Sequence, residues 1–242
     1  MPLLQEKLKA PPLPLSVVAR PRLNDFFALH ERVRLLVVQA PSGYGKTTLL
    51  AERLPALEQE AAWLRLDQRD NQPERFLSYW QAAIQSLLGE HTPLSPLAEG
   101  AECDEQECVE QLERWLAELP EQRAACRLVV DEFEHLTHPD ILAGLAHWLR
   151  HQPPWLTLTL ASRSRPALGL ASLRLRGELE EIDLSALAFD SEEAQTLCAE
   201  QLSFPPYAGE PGASATQKRR LGDGTELAGG AHHYPRRVRC AG

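Results

Sequence analysis

Residues 33–48 read VRLLVVQAPSGYGKTT, and this stretch decides how the rest of the chain is interpreted. It begins with the short apolar run LLVV at 35–38, which is typical of a strand buried on both faces. A turn with two glycines follows, and then a helical pattern led by Leu49, Leu50 and Leu54. A buried strand, a glycine-containing turn and a helix in this order predict a phosphate-binding loop.

The chemistry of the turn supports a nucleotide-binding P-loop over the alternative, a glycine-rich turn with an unrelated lysine. Gly43 and Gly45 allow backbone N–H groups to face phosphate oxygens, and the N-terminus of the following helix favours the same anion. Lys46 is expected to reach the β- and γ-phosphates, and the Thr47 hydroxyl is expected to bind Mg²⁺. Because Ala40 replaces the first glycine of the strict motif, the match is to its relaxed form. The predicted nucleotide-binding residues of this segment are Ala40, Pro41, Ser42, Gly43, Tyr44, Gly45, Lys46, Thr47 and Thr48.

The bulk composition is that of a soluble globular protein. A chain of 242 residues with 43% hydrophobic and 24% charged residues can hold one α/β domain with a small appendage. No run of eighteen apolar residues and no cationic start before an apolar block is present, which predicts neither a membrane span nor a signal peptide. Five cysteines without metal-ligand spacing indicate reduced thiols, as in a cytoplasmic protein. The net charge of -9 argues against wrapping nucleic acid with the whole surface.

The hydrophobic periodicity alternates between strands and helices along residues 1–205. Besides the strand before the loop, strands are predicted at 61–66, 126–130, 155–161 and 179–184. Helices are predicted at 22–31, 46–59, 73–88, 105–119, 139–151 and 190–202. Alternation at this spacing predicts a parallel sheet with helices on both faces. We therefore expect a three-layer α/β fold of the P-loop NTPase kind with a five-stranded parallel sheet.

Residues 206–242 differ in composition from the rest of the chain. They contain 7 of the 14 glycines, and six basic against three acidic residues give the segment a charge of +3. Large aliphatic residues are too few to bury a core, so we expect a disordered C-terminal tail. The basic cluster KRR at 218–220 is compatible with nucleic-acid contact, but a solvated tail is the preferred interpretation.

Two acidic residues follow the predicted strand at 126–130. Asp131 stands at the carboxyl end of that strand, where ligands of open α/β sheets collect. A carboxylate in this place can hold Mg²⁺ through its water shell, and Glu132 is placed to orient or deprotonate an attacking water. The alternative is a pair of acids that caps a strand where it leaves the sheet.

An arginine leaves the next strand at the same predicted edge of the sheet. Arg163 can meet a γ-phosphate through charge-assisted hydrogen bonds that are lost on hydrolysis, and can thereby report whether ATP or ADP is bound. Arg165 competes for this role, and Arg174 and Arg176 are further candidate cations. Lys46, Glu132 and Arg163 are thus the candidate catalytic residues, and Thr47 and Asp131 the candidate metal ligands.

Residues of about 10–203 resemble the ATPase module of the MalT-like regulators, the LuxR-type branch of the STAND NTPases. The resemblance lies in six blocks that occur in order. These blocks are RPRL at 20–23, QAPSGYGKTTL at 39–49, LDQRDNQPERFLSYW at 66–80, LVVDEFEHLTHPDI at 128–141, LTLASRSRPALGLASLRLRGELEEI at 158–182 and LAFDSEEA at 187–194.

The resemblance implies that the module binds ATP with Mg²⁺, hydrolyses it slowly and uses the ATP/ADP difference to control self-association. It implies the same roles for the loop, the two acids and Arg163, and it locates the segment around Arg20 near the adenine. One position departs from the family pattern. A histidine often stands three residues after the first acid of the metal-binding pair, whereas this chain has Glu134 there and His135 beside it.

Members of that family are much longer and carry a winged-helix domain, a repeat array and a helix-turn-helix. The match here stops just after LSFPP at 202–206. We therefore expect a truncated or frameshifted relative, a cytoplasmic nucleotide switch module of a transcription regulator that neither contacts a membrane nor binds DNA directly. The alternatives are a free-standing P-loop ATPase or small-molecule kinase, and a non-functional remnant.

Overall fold

A five-stranded sheet forms the centre of the computed structural model, which describes residues 3–27, 33–57, 59–90, 92–97 and 105–203. All strand pairs are parallel, and the order across the sheet is β2-β3-β4-β1-β5. The strands are β1 Leu35–Gln39, β2 Glu60–Arg65, β3 Cys126–Asp131, β4 Leu156–Ser162 and β5 Leu179–Ile182. The predicted parallel five-stranded fold is confirmed, with strand boundaries that differ by one or two residues.

Helices connect successive strands and cover the sheet. The α-helices are α1 Asn24–Phe27, α2 Lys46–Arg53, α3 Pro73–Leu88, α4 Glu105–Glu118, α5 Pro139–His151, α6 Ala171–Arg176, α7 Leu184–Leu187 and α8 Ser191–Ser203. The helix predicted at 46–59 is shorter than expected, because Pro55 lacks the N–H that would continue the ladder, and a 3₁₀ turn at Leu54–Leu57 follows. The sequence interpretation missed the short helices α6 and α7.

Alternate residues of β1 show why both faces of the sheet are covered. Leu35 and Val37 belong to one hydrophobic core, and Leu36 and Val38 belong to a second core; all four are fully buried. Side chains of a strand alternate between the two faces of a sheet, so two separate cores mean two covering layers. The expected three-layer arrangement is confirmed.

The larger core is built around aromatic residues of α3 and α5. The Trp80 ring meets the Trp148 ring edge-on with 5.3 Å between centroids, and the Phe76 ring lies 5.5 Å from Trp80. All three are buried, and aromatic side chains of this size contribute strongly to core stability. The smaller core packs α2 against the other face of the sheet through Leu49 and Leu50.

A buried carboxylate fixes the loop after β2. Asp70 is fully buried and accepts hydrogen bonds from Lys7 Nζ, from Arg75 Nε at 2.8 Å and from the Asp67 backbone N–H at 2.7 Å. The next residue, Asn71, accepts hydrogen bonds from the backbone N–H of Thr137 at 2.8 Å. The loop after β2 therefore supports the loop after β3, which carries the acidic residues singled out above.

Two further sequence expectations concern the C-terminal segment and membrane-spanning helices. The glycine-rich segment 206–242 lies outside the described residues, so its predicted disorder stays a prediction. Within the described ranges, no helix combines the length and the apolar character needed to cross a bilayer.

Candidate functional site

The loop between β1 and α2 has the backbone conformation that its glycines allow. Gly43 and Gly45 have φ values of 86° and 75°, in the left-handed region where a side chain is strained. Lys46 Nζ reaches back over the loop and donates hydrogen bonds to the carbonyl oxygens of Ala40 at 2.7 Å and Pro41 at 3.1 Å. The loop thus closes around the lysine ammonium, while Ser42 and Tyr44 are exposed at its tip and Thr48 lies in the first turn of α2.

The charge on Lys46 is held in an unfavourable environment. Burial lowers the pKa of Lys46, and Arg163 lowers it further, whereas Glu134, Asp131 and Glu132 act in the opposite direction. A partly desolvated ammonium gains from an anion that replaces its lost hydration. Lys46 begins α2, Asp131 ends β3 and Arg163 follows β4. These charged groups therefore share the edge at which the strands end.

Thr47 and Asp131 are in direct contact, although they are far apart in sequence. Thr47 Oγ1 donates to Asp131 Oδ1 and Oδ2, at 3.1 and 2.9 Å. Asp131 ends β3 and is 1% exposed. A hydroxyl and a carboxylate are hard oxygen ligands of the kind that Mg²⁺ prefers, and this cation is usually held by one or two carboxylates together with phosphate oxygens. The pair fits that chemistry, and the described residues contain no group of three or more His, Cys, Asp and Glu side chains arranged for a metal.

The negative charge of Asp131 is expected to destabilise the nucleotide-free fold. Burial raises the pKa of Asp131, although hydrogen bonds from Thr47 and from the Glu132 backbone N–H favour the charged form. Asp131→Asn keeps the shape and one acceptor oxygen for the Glu132 N–H, and its NH2 group can donate to the Thr47 hydroxyl, so we expect it to raise the free energy of unfolding at pH 7, on the order of 1 kcal/mol. Chemical denaturation of both proteins without nucleotide measures this difference.

The pH dependence of the stability difference between the two proteins provides a control for this prediction. A raised pKa in the folded state makes wild-type stability fall as pH rises from the ordinary carboxyl range through the folded-state pKa of Asp131. The advantage of Asp131→Asn should therefore vanish below the ordinary carboxyl pKa and reach a plateau above the raised one. A variant less stable than wild type at pH 7 would contradict this expectation.

Glu132 is anchored in a conformation that is uncommon for its residue type. Its φ of 57° places it in the left-handed region, where it is the only described residue other than glycine with a positive φ. Its carboxylate pairs with Arg65 Nη2 at 2.8 Å and lies 3.3 Å from His135 Nε2. Burial acts to raise the pKa of Glu132, but Arg65 and His135 outweigh it and leave the pKa lowered. The carboxylate is therefore anionic and oriented, as water positioning requires.

Arg163 lies at the same edge, just after β4, and it is held by Glu134. Arg163 Nε is 2.7 Å from Glu134 Oε1, and the Arg163 backbone N–H donates to Glu134 Oε2 at 3.1 Å. Among the other candidate cations, Arg165 is exposed two residues further along the same loop, Arg174 pairs with Glu181 of β5, and Arg176 pairs with Glu178, which precedes β5.

Arg20 packs directly against the phosphate loop. Its guanidinium donates from Nη1 to the Leu187 carbonyl oxygen at 2.9 Å and lies 4.2 Å from the Phe189 ring centroid. A Cβ added to Gly45 would lie 3.0 Å from Arg20 Nη2, so the glycine also makes room for this side chain. Burial lowers the pKa of Arg20, which is 6% exposed. Its neighbour Arg22 pairs with Glu193 of α8 at 2.9 Å and fixes this segment.

The structure thus brings the loop, Lys46, Thr47, Asp131, Glu132 and Arg163 to one edge of the sheet and sets Arg20 beside Gly45. Sequence reasoning did not single out Arg65, and it noted Glu134 and His135 only as a departure from the family pattern, without the task of orienting the acids and the arginine. Arg65 could have been found, because it ends β2 directly opposite Asp131 in the strand register. The partners His135 and Glu134 depend on the turn at Phe133–His135, which periodicity does not predict.

Comparisons with known proteins show what the chain is similar to. Residues 30–167 match the family described as AAA domain. The HTH-type transcriptional regulator MalT of Yersinia enterocolitica is 36% identical over an alignment of 218 residues that covers 86% of this chain and 23% of that protein. The chain therefore spans about a quarter of the length of this relative.

Two solved structures share part of the architecture at low sequence identity. The Aeropyrum pernix ORC1 protein, solved in complex with DNA, is 19% identical with a TM-score of 0.46, covering 78% of this chain and 49% of that one. The Walker-type ATPase PABY2304 of Pyrococcus abyssi is 15% identical with a TM-score of 0.42, covering 76% and 57% of the two chains.

Proposed function

The chain belongs to the AAA domain family, and from that premise we propose that it binds ATP with Mg²⁺ at the carboxyl edge of its sheet. The observation that carries the proposal is the contact between Thr47 and Asp131 beside the lysine of the phosphate loop. A hydroxyl from the loop helix and a buried carboxylate from β3, two strands away from β1, meet where the strands end. Ligands of open parallel sheets bind at this edge.

Each residue of the site has a distinct task in this proposal. Backbone N–H groups of residues 42–47 and Lys46 bind the phosphates, and Thr47 and Asp131 hold the magnesium ion, directly or through its waters. The bound cation would supply neutralisation of charge on the phosphate oxygens. Glu132, oriented by Arg65, positions the attacking water, and Arg163 reaches the γ-phosphate. Arg20, packed on Gly45, borders the nucleotide beside the loop.

We propose further that the nucleotide acts as a switch and not as the substrate of rapid catalysis. The likeness to MalT, a protein named as a transcriptional regulator, supports an ATPase module of such a regulator whose ATP and ADP states differ in self-association. The pairing of Arg163 with Glu134 supports slow hydrolysis, because the guanidinium must leave this partner to act on the phosphate.

The magnesium dependence of binding tests this proposal. Saturable binding of fluorescent ATP is expected, and Thr47→Ala should lower the affinity in the presence of Mg²⁺ by roughly tenfold, as the loss of one ligand interaction of about 1.4 kcal/mol implies. Thr47→Ser retains the hydroxyl and should bind almost as wild type. Equilibrium titrations with Mg²⁺ and with a chelator measure these differences.

Two outcomes would contradict the proposal. Wild-type protein that shows no saturable ATP binding at millimolar concentrations would remove the nucleotide site altogether. Turnover well above about 1 s⁻¹ with a metabolite as phosphate acceptor would instead assign the site to a kinase.

A further inference from the structure

Glu134 is a carboxylate of the site to which the proposed function gives no task. It lies in the turn at Phe133–His135, three residues after Asp131, and its side chain is 14% exposed. Both of its oxygens are engaged by Arg163, one by the guanidinium Nε at 2.7 Å and the other by the backbone N–H at 3.1 Å. The arginine that would meet a γ-phosphate is therefore already bound to an internal anion.

The same carboxylate also acts on the lysine of the phosphate loop. Burial is the main influence on the pKa of Lys46, and among the charged groups that influence it Glu134 is the strongest, ahead of Asp131 and Glu132. Glu134 thus lies within electrostatic reach of two cations, Lys46 and Arg163, that a triphosphate would contact. The glutamate therefore offers these two cations part of the stabilisation that a terminal phosphate would offer them.

We propose that Glu134 is a specificity-determining residue that disfavours ATP relative to ADP by holding Arg163. This inference rests on the proposed function. A γ-phosphate that pairs with Arg163 must separate it from Glu134, and it also brings additional negative charge close to the glutamate. ADP has no γ-phosphate and leaves the Glu134–Arg163 pair intact. The free energy needed to separate Arg163 from Glu134 therefore weakens the binding of ATP and not that of ADP. The pair thereby sets the ATP concentration at which the switch responds.

The substitution Glu134→Gln tests this inference with little change in shape. Glutamine keeps an acceptor for the Arg163 backbone N–H but removes the charge that holds the guanidinium. We expect the ratio of the ADP to the ATP dissociation constant to rise by roughly twofold to fivefold, the range of a partly exposed ion pair. Titration of wild type and variant with both nucleotides in the presence of Mg²⁺ measures this ratio. A purely structural role would change both affinities together.

A matched control exists at the amino-terminal end of β5, away from the proposed site. Glu178 precedes β5 and pairs with Arg176 at 2.9 Å, so Glu178→Gln removes the same charge from a comparable ion pair away from the site. For Glu178→Gln, the ratio of the ADP to the ATP dissociation constant should equal that of wild type. In an Arg163→Ala background, Glu134→Gln should change the ratio less than it does in wild type, because the pair is already broken.

The results separate this inference from the proposed function. If wild type binds both nucleotides and Glu134→Gln leaves the ratio unchanged, the role of Glu134 is wrong while the nucleotide site stands. If Glu134→Gln weakens ATP selectively, Glu134 orients Arg163 toward the phosphate instead of withholding it, and the inference is overturned. If wild type binds neither nucleotide, the proposed function itself fails.

Discussion

Replacement of Lys46 by alanine is expected to weaken ATP binding by about 1.5–3 kcal/mol, or roughly 10- to 150-fold. The ammonium is the charged group of the phosphate loop, and its only described hydrogen bonds go to the carbonyl oxygens of Ala40 and Pro41. Its lowered pKa indicates that the surrounding protein does not fully replace its hydration. An anionic phosphate would restore that stabilisation, and alanine cannot.

The loss should appear in binding and not in the stability of the free protein. Lys46 crosses the loop without entering either hydrophobic core, so the melting temperature of Lys46→Ala without nucleotide should stay close to that of wild type. Equilibrium titration with ATP and Mg²⁺ measures the effect. Equal affinity in the two proteins would show that the loop does not bind phosphate.

Asp70→Asn is expected to destabilise the fold by about 3 kcal/mol, the largest stability effect predicted here. The carboxylate is fully buried and joins Lys7 of the N-terminal segment to Arg75 of α3. Asparagine has the same shape but no charge, so Lys7 and Arg75 would lose the buried anion of their ion cluster, and Lys7 would still pair with Asp67, whose side chain is 44% exposed. Breaking a buried ion pair by removing one partner costs more than the pair gains over an apolar replacement.

Thermal unfolding measures this prediction, and the melting temperature should fall by roughly 6–12 °C. Asp25→Asn is the matched control, because Asp25 is an exposed residue of α1 and its replacement should change stability by no more than about 0.5 kcal/mol. A shift at Asp70 as small as the shift at Asp25 would mean that the buried ion cluster contributes nothing to stability.

The sequence predicted those parts of the site that follow from the position of a residue at the end of a strand. The loop was identified from its glycines and lysine, and the meeting of Thr47 with Asp131 follows from the rule that parallel strands end at one edge. Glu132 and Arg163 could be assigned to the same edge for the same reason.

The sequence could not predict which side chains pair with Glu132 and Arg163, because the conformation of the turn after β3 determines these contacts. The left-handed backbone at Glu132 directs the following turn so that Glu134 faces Arg163 and His135 faces Glu132. No hydrophobic pattern encodes such a turn, because its residues are polar and it covers less than one period of a helix. The resemblance placed Arg20 near the nucleotide, but only the fold showed that its guanidinium packs on Gly45.

The position of β1 within the sheet has a consequence for how the protein is made. Leu35 pairs with Leu158 of β4 and with Leu179 of β5, so the strand leading into the phosphate loop has no partner until β4 has left the ribosome, and it is paired on both sides only after β5 follows. While the residues between β1 and β4 are synthesised, the apolar side chains of β1 stay unpaired and open to chaperones or to aggregation.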